Sequence, residues 1–204
     1  MMRKFLIMLA LCSPVILCGC VPDQIKYAIN CEPIERQPSV ESKSPSNNIF
    51  EDDLIRLETN LNEKSIEFKI QNKTGESLRI SWNESAFVGL DNSAKRIIHE
   101  GVKYINSGQE MADTYIPKGT VLNDFALPAD NVFYVSGQYG GWETMPLINL
   151  PVLTMVNGEK NNQEMFEKFE SSVKGKVLKT VLAIYRGKEK FEYSIAYRVL
   201  KVFR

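Results

Sequence analysis

Five apolar side chains recur at every second position in the stretch Phe191, Tyr193, Ile195, Tyr197 and Val199. Successive side chains of a strand point to opposite faces, so this row forms one face of a β-strand, and Glu192, Ser194 and Arg198 form the other. A helix would scatter the same row around its circumference. A slip of one residue would turn the whole row to solvent, so the register is tightly set. Gly187-Lys188-Glu189 supplies the bend that returns this strand against residues 176–186, which predicts a long hairpin.

The same period of two recurs upstream. Ile66, Phe68 and Ile70 alternate with Glu67 and Lys69, Asn72-Lys73-Thr74-Gly75 supplies a turn, and Leu78, Ile80 and Trp82 alternate with Arg79 and Ser81. This is a hairpin with one buried and one wet face. Further strands are expected over residues 54–59, 120–127 and 150–156, and on either side of the polar turn Asp91-Asn92-Ser93. The uninterrupted apolar run Val132-Phe133-Tyr134-Val135 reads as a fully buried strand. Seven to nine strands at this spacing predict a mostly-β fold, an antiparallel two-sheet sandwich of immunoglobulin-like type.

One short helix is expected near residues 162–174. Asn161 or Asn162 caps it, Met165, Phe166, Phe169 and Val173 share a face, Glu164 and Lys168 pair, and Lys174-Gly175 closes it. Residues 20–52 read differently. Pro22, Pro33, Pro38 and Pro45 are interleaved with serines and asparagines, a composition that buries little apolar surface. They are expected to form a flexible tether spanning roughly 30–35 Å as a coil, with Tyr27, Ile29 and Ile34 able to dock locally. The sandwich domain is then expected over residues 53–204.

The first twenty residues carry a targeting pattern. Met1-Met2-Arg3-Lys4 is cationic, and the apolar core Phe5-Leu6-Ile7-Met8-Leu9-Ala10-Leu11 is too short to span a bilayer. The segment ends in Leu17-Cys18-Gly19-Cys20, which resembles the lipobox of bacterial lipoproteins. The resemblance implies that residues 1–19 are a signal peptide. It further implies that Cys20 becomes the first residue of the mature chain, with a diacylglyceryl group on its thiol and an acyl chain on its amine. Val21 in place of Asp implies sorting to the outer membrane, facing the periplasm; the outer face of the cytoplasmic membrane is the alternative. The stretch Trp82, Phe87-Val88 and Arg96-Ile97-Ile98-His99-Glu100-Gly101-Val102-Lys103 resembles a pattern in exported bacterial β-sandwich proteins of uncharacterised role.

Charge and cysteine narrow the function classes. Lys plus Arg and Asp plus Glu number 25 each, so no net attraction to nucleic acid arises and no nucleic-acid partner is expected. Nine basic side chains fall in residues 174–204, a surface for an anionic polymer or the outward residues of two strands countered by acids elsewhere. Cys12 and Cys18 leave with the signal and Cys20 is consumed by lipid. Cys31 remains alone, a candidate for an intermolecular disulfide or an unpaired thiol.

No motif for a nucleotide, metal or redox cofactor is present, so none is expected, nor is a metal site or a catalytic set. His99 is the one histidine. It is a base or ligand by chemistry, but Glu100, its acidic neighbour, points to the opposite strand face. Paired carboxylates for glycoside cleavage leave little trace in sequence and stay open as a hydrolase reading. The best contact site is Ser136-Gly137-Gln138-Tyr139-Gly140-Gly141-Trp142, where Tyr139 and Trp142 project from a glycine-rich loop, or where Trp142 folds back as a plug over the sandwich end. The leading expectation is a membrane-anchored, non-enzymatic binding module with an envelope protein as partner. A glycan- or lipid-binding module and an envelope hydrolase are the alternatives.

Overall fold

The computed structural model describes residues 24–41, 46–154 and 157–204. The expected signal peptide and Cys20 lie outside them. The alternating segments form strands β1 (Lys26–Cys31), β2 (Glu35–Gln37), β3 (Ile49–Glu51), β4 (Ile55–Leu61), β5 (Ile66–Asn72), β6 (Leu78–Val88), β7 (Ala94–Lys95) and β8 (Ile97–Ile98). Strands β9 (Thr114–Ile116), β10 (Val121–Pro128), β11 (Val132–Val135) and β12 (Gly141–Thr144) follow, then α1 (Gly158–Val173), β13 (Val177–Arg186) and β14 (Glu189–Phe203). All pairings are antiparallel, as expected.

One sheet runs β1-β14-β13-β6-β7, with β2 also on β14 and β9 also on β6; the second runs β3-β4-β5-β10-β8; β11 and β12 pair only with each other. The two larger sheets face one another as a sandwich. The row Phe191, Tyr193, Ile195, Tyr197 and Val199 is buried, and so are Ile66, Phe68, Ile70, Leu78, Ile80 and Trp82. Across the gap, Phe50 meets Tyr193 edge-on at 5.7 Å and the Thr59 and Tyr197 hydroxyls are 3.2 Å apart. Each such large apolar side chain contributes about 1.5–3 kcal/mol by burial. The hairpin bend needs Gly187, whose φ of 57° suits the first central position of a type II′ turn.

The ladder between β6 and β13 breaks at one place. Ser81 pairs with Ala183 and Ala86 with Val181, so residues 82–85 bulge opposite Leu182. Ser85 repairs the gap: its hydroxyl donates to the Ser81 carbonyl at 2.7 Å and accepts the Ala183 amide at 3.0 Å.

Several expectations are corrected. Over its described part the flexible tether is folded structure. β1 runs along β14, with Tyr27 against Val202 and Cys31 against Tyr197, and β2 continues along the same strand. Ile25 and Ile34 are in the core. Ile25, Tyr27 and Ile29 carry the same alternation as the later strands, and the available edge of β14 outweighs the Pro/Ser-rich composition. Arg36 then clasps the segment to the opposite sheet. Its guanidinium donates to Asp52 and Asp53 at 2.7 Å each and lies 4.5 Å over the Phe191 ring, while the Tyr193 hydroxyl donates to Asp52 at 2.9 Å. The domain therefore does not begin at residue 53.

The helix starts earlier than expected, after Asn157. Asn162 sits inside it, where its side chain donates to the Thr154 carbonyl at 2.9 Å instead of capping. Glu164 approaches Lys160 at 4.0 Å, not Lys168. Residues 151–154 form no strand, and residues 155–156 lie outside the described residues. β11, expected to be fully buried, is largely exposed because it lies in neither large sheet.

Candidate functional site

The feature that departs most from a closed sandwich is the β11–β12 hairpin, an arm set off from both sheets. Its register is Val132 with Thr144, Phe133 with Glu143, Tyr134 with Trp142, and Val135 with Gly141. The arm is rooted at its base. The Met145 amide donates to the Asn131 carbonyl at 2.8 Å, and the Leu147 amide donates to Glu63 at 2.8 Å, in the turn between β4 and β5. At its tip the chain closes through glycine: a Cβ on Gly140 would collide with the Val135 carbonyl, and Gly137 holds a φ of 132°.

The arm carries the two residues that the sequence singled out, and three more exposed apolar ones. Tyr139 at the tip is 94% exposed, Trp142 43% and Tyr134 60%, with Phe133 and Val135 also exposed. Trp142 meets Tyr134 edge-on at 5.5 Å and Tyr104 at 6.4 Å. Trp142 is thus not a plug in the sandwich; it lies outside the hydrophobic core cluster and its neighbours are the arm and the Tyr104 turn. Tyr134 and Phe133 escaped the sequence reading because an unbroken apolar run looks the same whether it is walled in or left out. A two-stranded ribbon is marginal alone, and its cross-strand aromatic pair contributes about 0.5–1 kcal/mol.

His99 is a packed residue. Its ring stacks on Trp82 at 4.0 Å and 8°, and Nδ1 lies 3.4 Å from Asp124 Oδ2. The other Asp124 oxygen accepts the Glu100 and Phe125 amides at 2.8 Å each, so Asp124 latches the exit of β8 onto β10. Among the described residues, no three His, Cys, Asp or Glu side chains gather to hold a metal.

A groove of about 470 Å³ crosses the outer face of the second sheet, with Ile49, Glu58, Glu67, Lys69, Asn123 and Phe125 among its walls. Glu58 is held by Arg56 at 3.0 Å and approached by Lys69 at 4.0 Å; Glu67 accepts from Asn62 at 2.8 Å and Asn60 at 3.4 Å. Glu58 and Glu67 thus spend their oxygens on neighbours.

Cys31 is half-buried. Its thiol donates to the carbonyls of Asn47 and Glu32 at 3.3 and 3.4 Å, and burial pushes it up, away from the reactive thiolate. That setting disfavours an intermolecular disulfide. The basic stretch is largely countered: Lys174 pairs with Glu170, Arg186 with Glu189, Lys190 with Glu84 and Glu192, Arg198 with Glu32, and Arg204 with Glu159. Compared with protein-family models, with curated proteins and with solved structures, the chain matches none.

Proposed function

We propose that the protein is a lipid-anchored, non-enzymatic binding module of the bacterial cell envelope, held at the outer membrane through Cys20 and making contact through the β11–β12 arm. The observation that carries this reading is the arm itself. Exposed aromatic rings on a short ribbon cost water-facing apolar area and contribute little to the core, so a contact surface accounts for them where packing does not. The Leu17-Cys18-Gly19-Cys20 motif supports the anchor. Acyl chains contribute about 0.8 kcal/mol per buried methylene, and more than one chain makes attachment stable.

The test has two arms. Cys20→Ser abolishes acyl labelling and releases the protein from the envelope fraction; retention of both rejects the anchor. A photo-crosslinker at Tyr139 traps an envelope component that the same group at exposed Lys188 does not; equal trapping at both positions rejects the arm as the contact surface. One observation favours a second reading, a glycan-binding module: the groove on the second sheet offers carboxylates, amides and the Phe125 ring, the groups that bind sugar hydroxyls and stack on sugar faces. Phe125→Ala abolishing retention on an envelope glycan, with the fold intact, is the result that reading requires. The hydrolase alternative is the least favoured, since Glu58 and Glu67 of the groove already serve neighbouring side chains.

A further inference from the structure

We infer that the arm and the loop after it seat in the headgroup interface of the same bilayer that holds the Cys20 lipid. This rests on the anchor proposed above and names what the arm contacts. Three observations carry it.

The first is where the fixed chain begins. Ile25 is only 4% exposed and Lys26 pairs with Phe203, so the sandwich is tied from residue 25 onward. Five residue steps separate Cys20 from Ile25, a reach of at most about 18 Å. A lipid on Cys20 holds this pole of the sandwich against the membrane.

The second is what else stands at that pole. Phe50, beside Leu57, meets Tyr193 while Thr59 meets Tyr197, so β4 runs toward the Phe203 pole and the Leu61–Ile66 pair ends the second sheet there; Ala126 of β10 lies beside Ile66, and the arm follows directly from β10. The Leu147 amide, just past the arm, is bonded to Glu63 in the same turn. Arg204, next to Phe203, pairs with Glu159 in the first turn of α1, which brings the loop before the helix to this pole as well. The four-residue strands of the arm extend about 14 Å from its base, a length comparable to the lipid's leash.

The third is composition. A quarter of the chain is charged, yet between Asp130 and Glu159 the single charged side chain is Glu143. Several apolar residues of this stretch face outward: Phe133, Tyr134, Val135, Tyr139 and Trp142 on the arm, and Val152, 72% exposed, on the loop. Tyr and Trp favour the interface, where the ring meets acyl chains and the polar tip meets water. The unpaired backbone of a two-stranded ribbon keeps it at headgroup depth, since hydrocarbon would leave those groups unsatisfied. A single anchor gains from such a second contact.

The test uses the full-length acylated protein in phosphatidylethanolamine–phosphatidylglycerol vesicles whose acyl chains are brominated. Trp142→Phe serves as the blank, and Trp82, buried in the core, serves as an internal reference. The expected result is that about half of the Trp142 emission is quenched, with Trp82 unaffected. An acylated protein that floats with the vesicles while Trp142 stays unquenched and open to aqueous iodide overturns the inference and leaves the anchor standing. A chain whose intact mass lacks acyl groups, but whose Trp142 is quenched, upholds the arm contact and rejects the anchor. Photo-crosslinking from Tyr139 in intact cells that traps a protein instead of phospholipid overturns the inference in favour of a protein partner.

Discussion

Strand β14 and strand β11 are both apolar and aromatic, and they meet opposite fates: Phe191, Tyr193 and Tyr197 are buried, whereas Phe133 and Tyr134 face water. The difference lies in neighbours. β14 has β13 along one edge, β1 and β2 along the other, and the second sheet across its inner face; β11 has β12 alone. Residue type sets what a strand gains by burial, and topology decides whether it collects that gain. The same kinds of side chain therefore build a core in one place and an exposed arm in the other.

Truncation is the sharpest way to break this contrast. Tyr193→Ala removes a buried ring and one of the hydrogen bonds to Asp52, with an expected cost of about 3–5 kcal/mol in chemical denaturation. A loss below about 1 kcal/mol would mean that the β14 row is not the core. Arg36→Ala leaves the buried Asp52 carboxylate without its cation and frees β2, at about 3 kcal/mol, with faster amide exchange in the β2–β14 pair as its local signature.

Alkaline titration comes next. Burial, with the Asp52 charge adding to it, pushes the Tyr193 phenol far up, and burial does the same to Tyr197. The folded state holds these protons more tightly than the unfolded chain does. Stability is thus complete below the ordinary phenol range and falls as pH rises above about 10, by about 1.4 kcal/mol per pH unit for each phenol. Tyr197→Phe flattens that slope; an unchanged slope would reject Tyr197 as one of its sources. Smaller still is Ser85→Ala, which leaves the Ala183 amide unpaired in the β6 bulge at about 1–2 kcal/mol, visible as faster exchange of that amide. Trp142→Ala closes the series at under about 1 kcal/mol. A larger loss would show that the arm braces the sandwich after all.

The legible parts of the sequence are those in which local pattern and tertiary pairing agree. Alternation identifies β5, β6 and the β13–β14 hairpin because each carries a full apolar face. The exposure of Tyr139 and Trp142 is legible because glycines surround them, although Trp142 stands on strand β12 and not on a loop. Three features were hidden. The order in the 24–41 segment was masked by its prolines, although Ile25, Tyr27 and Ile29 keep period two. The exposure of β11 depends on which strands stand beside it, which no window along the chain reports. The Arg36–Asp52–Tyr193 clasp exists only once the sheets have met, and the Asp124 latch on the Glu100 amide only once β8 has paired with β10.

The pairing of Lys26 with Phe203 has an orientational consequence. The bend at Gly187-Lys188 lies at the far end of β14, roughly 45 Å away along the strand. If Cys20 carries the proposed acyl chains, that bend is expected to face the aqueous compartment as the leading tip, with Lys26 and Phe203 beneath it at the lipid headgroups. In that arrangement an antibody raised against the Gly187 bend is expected to meet an open epitope, and one raised against the Phe203 side to compete with the bilayer.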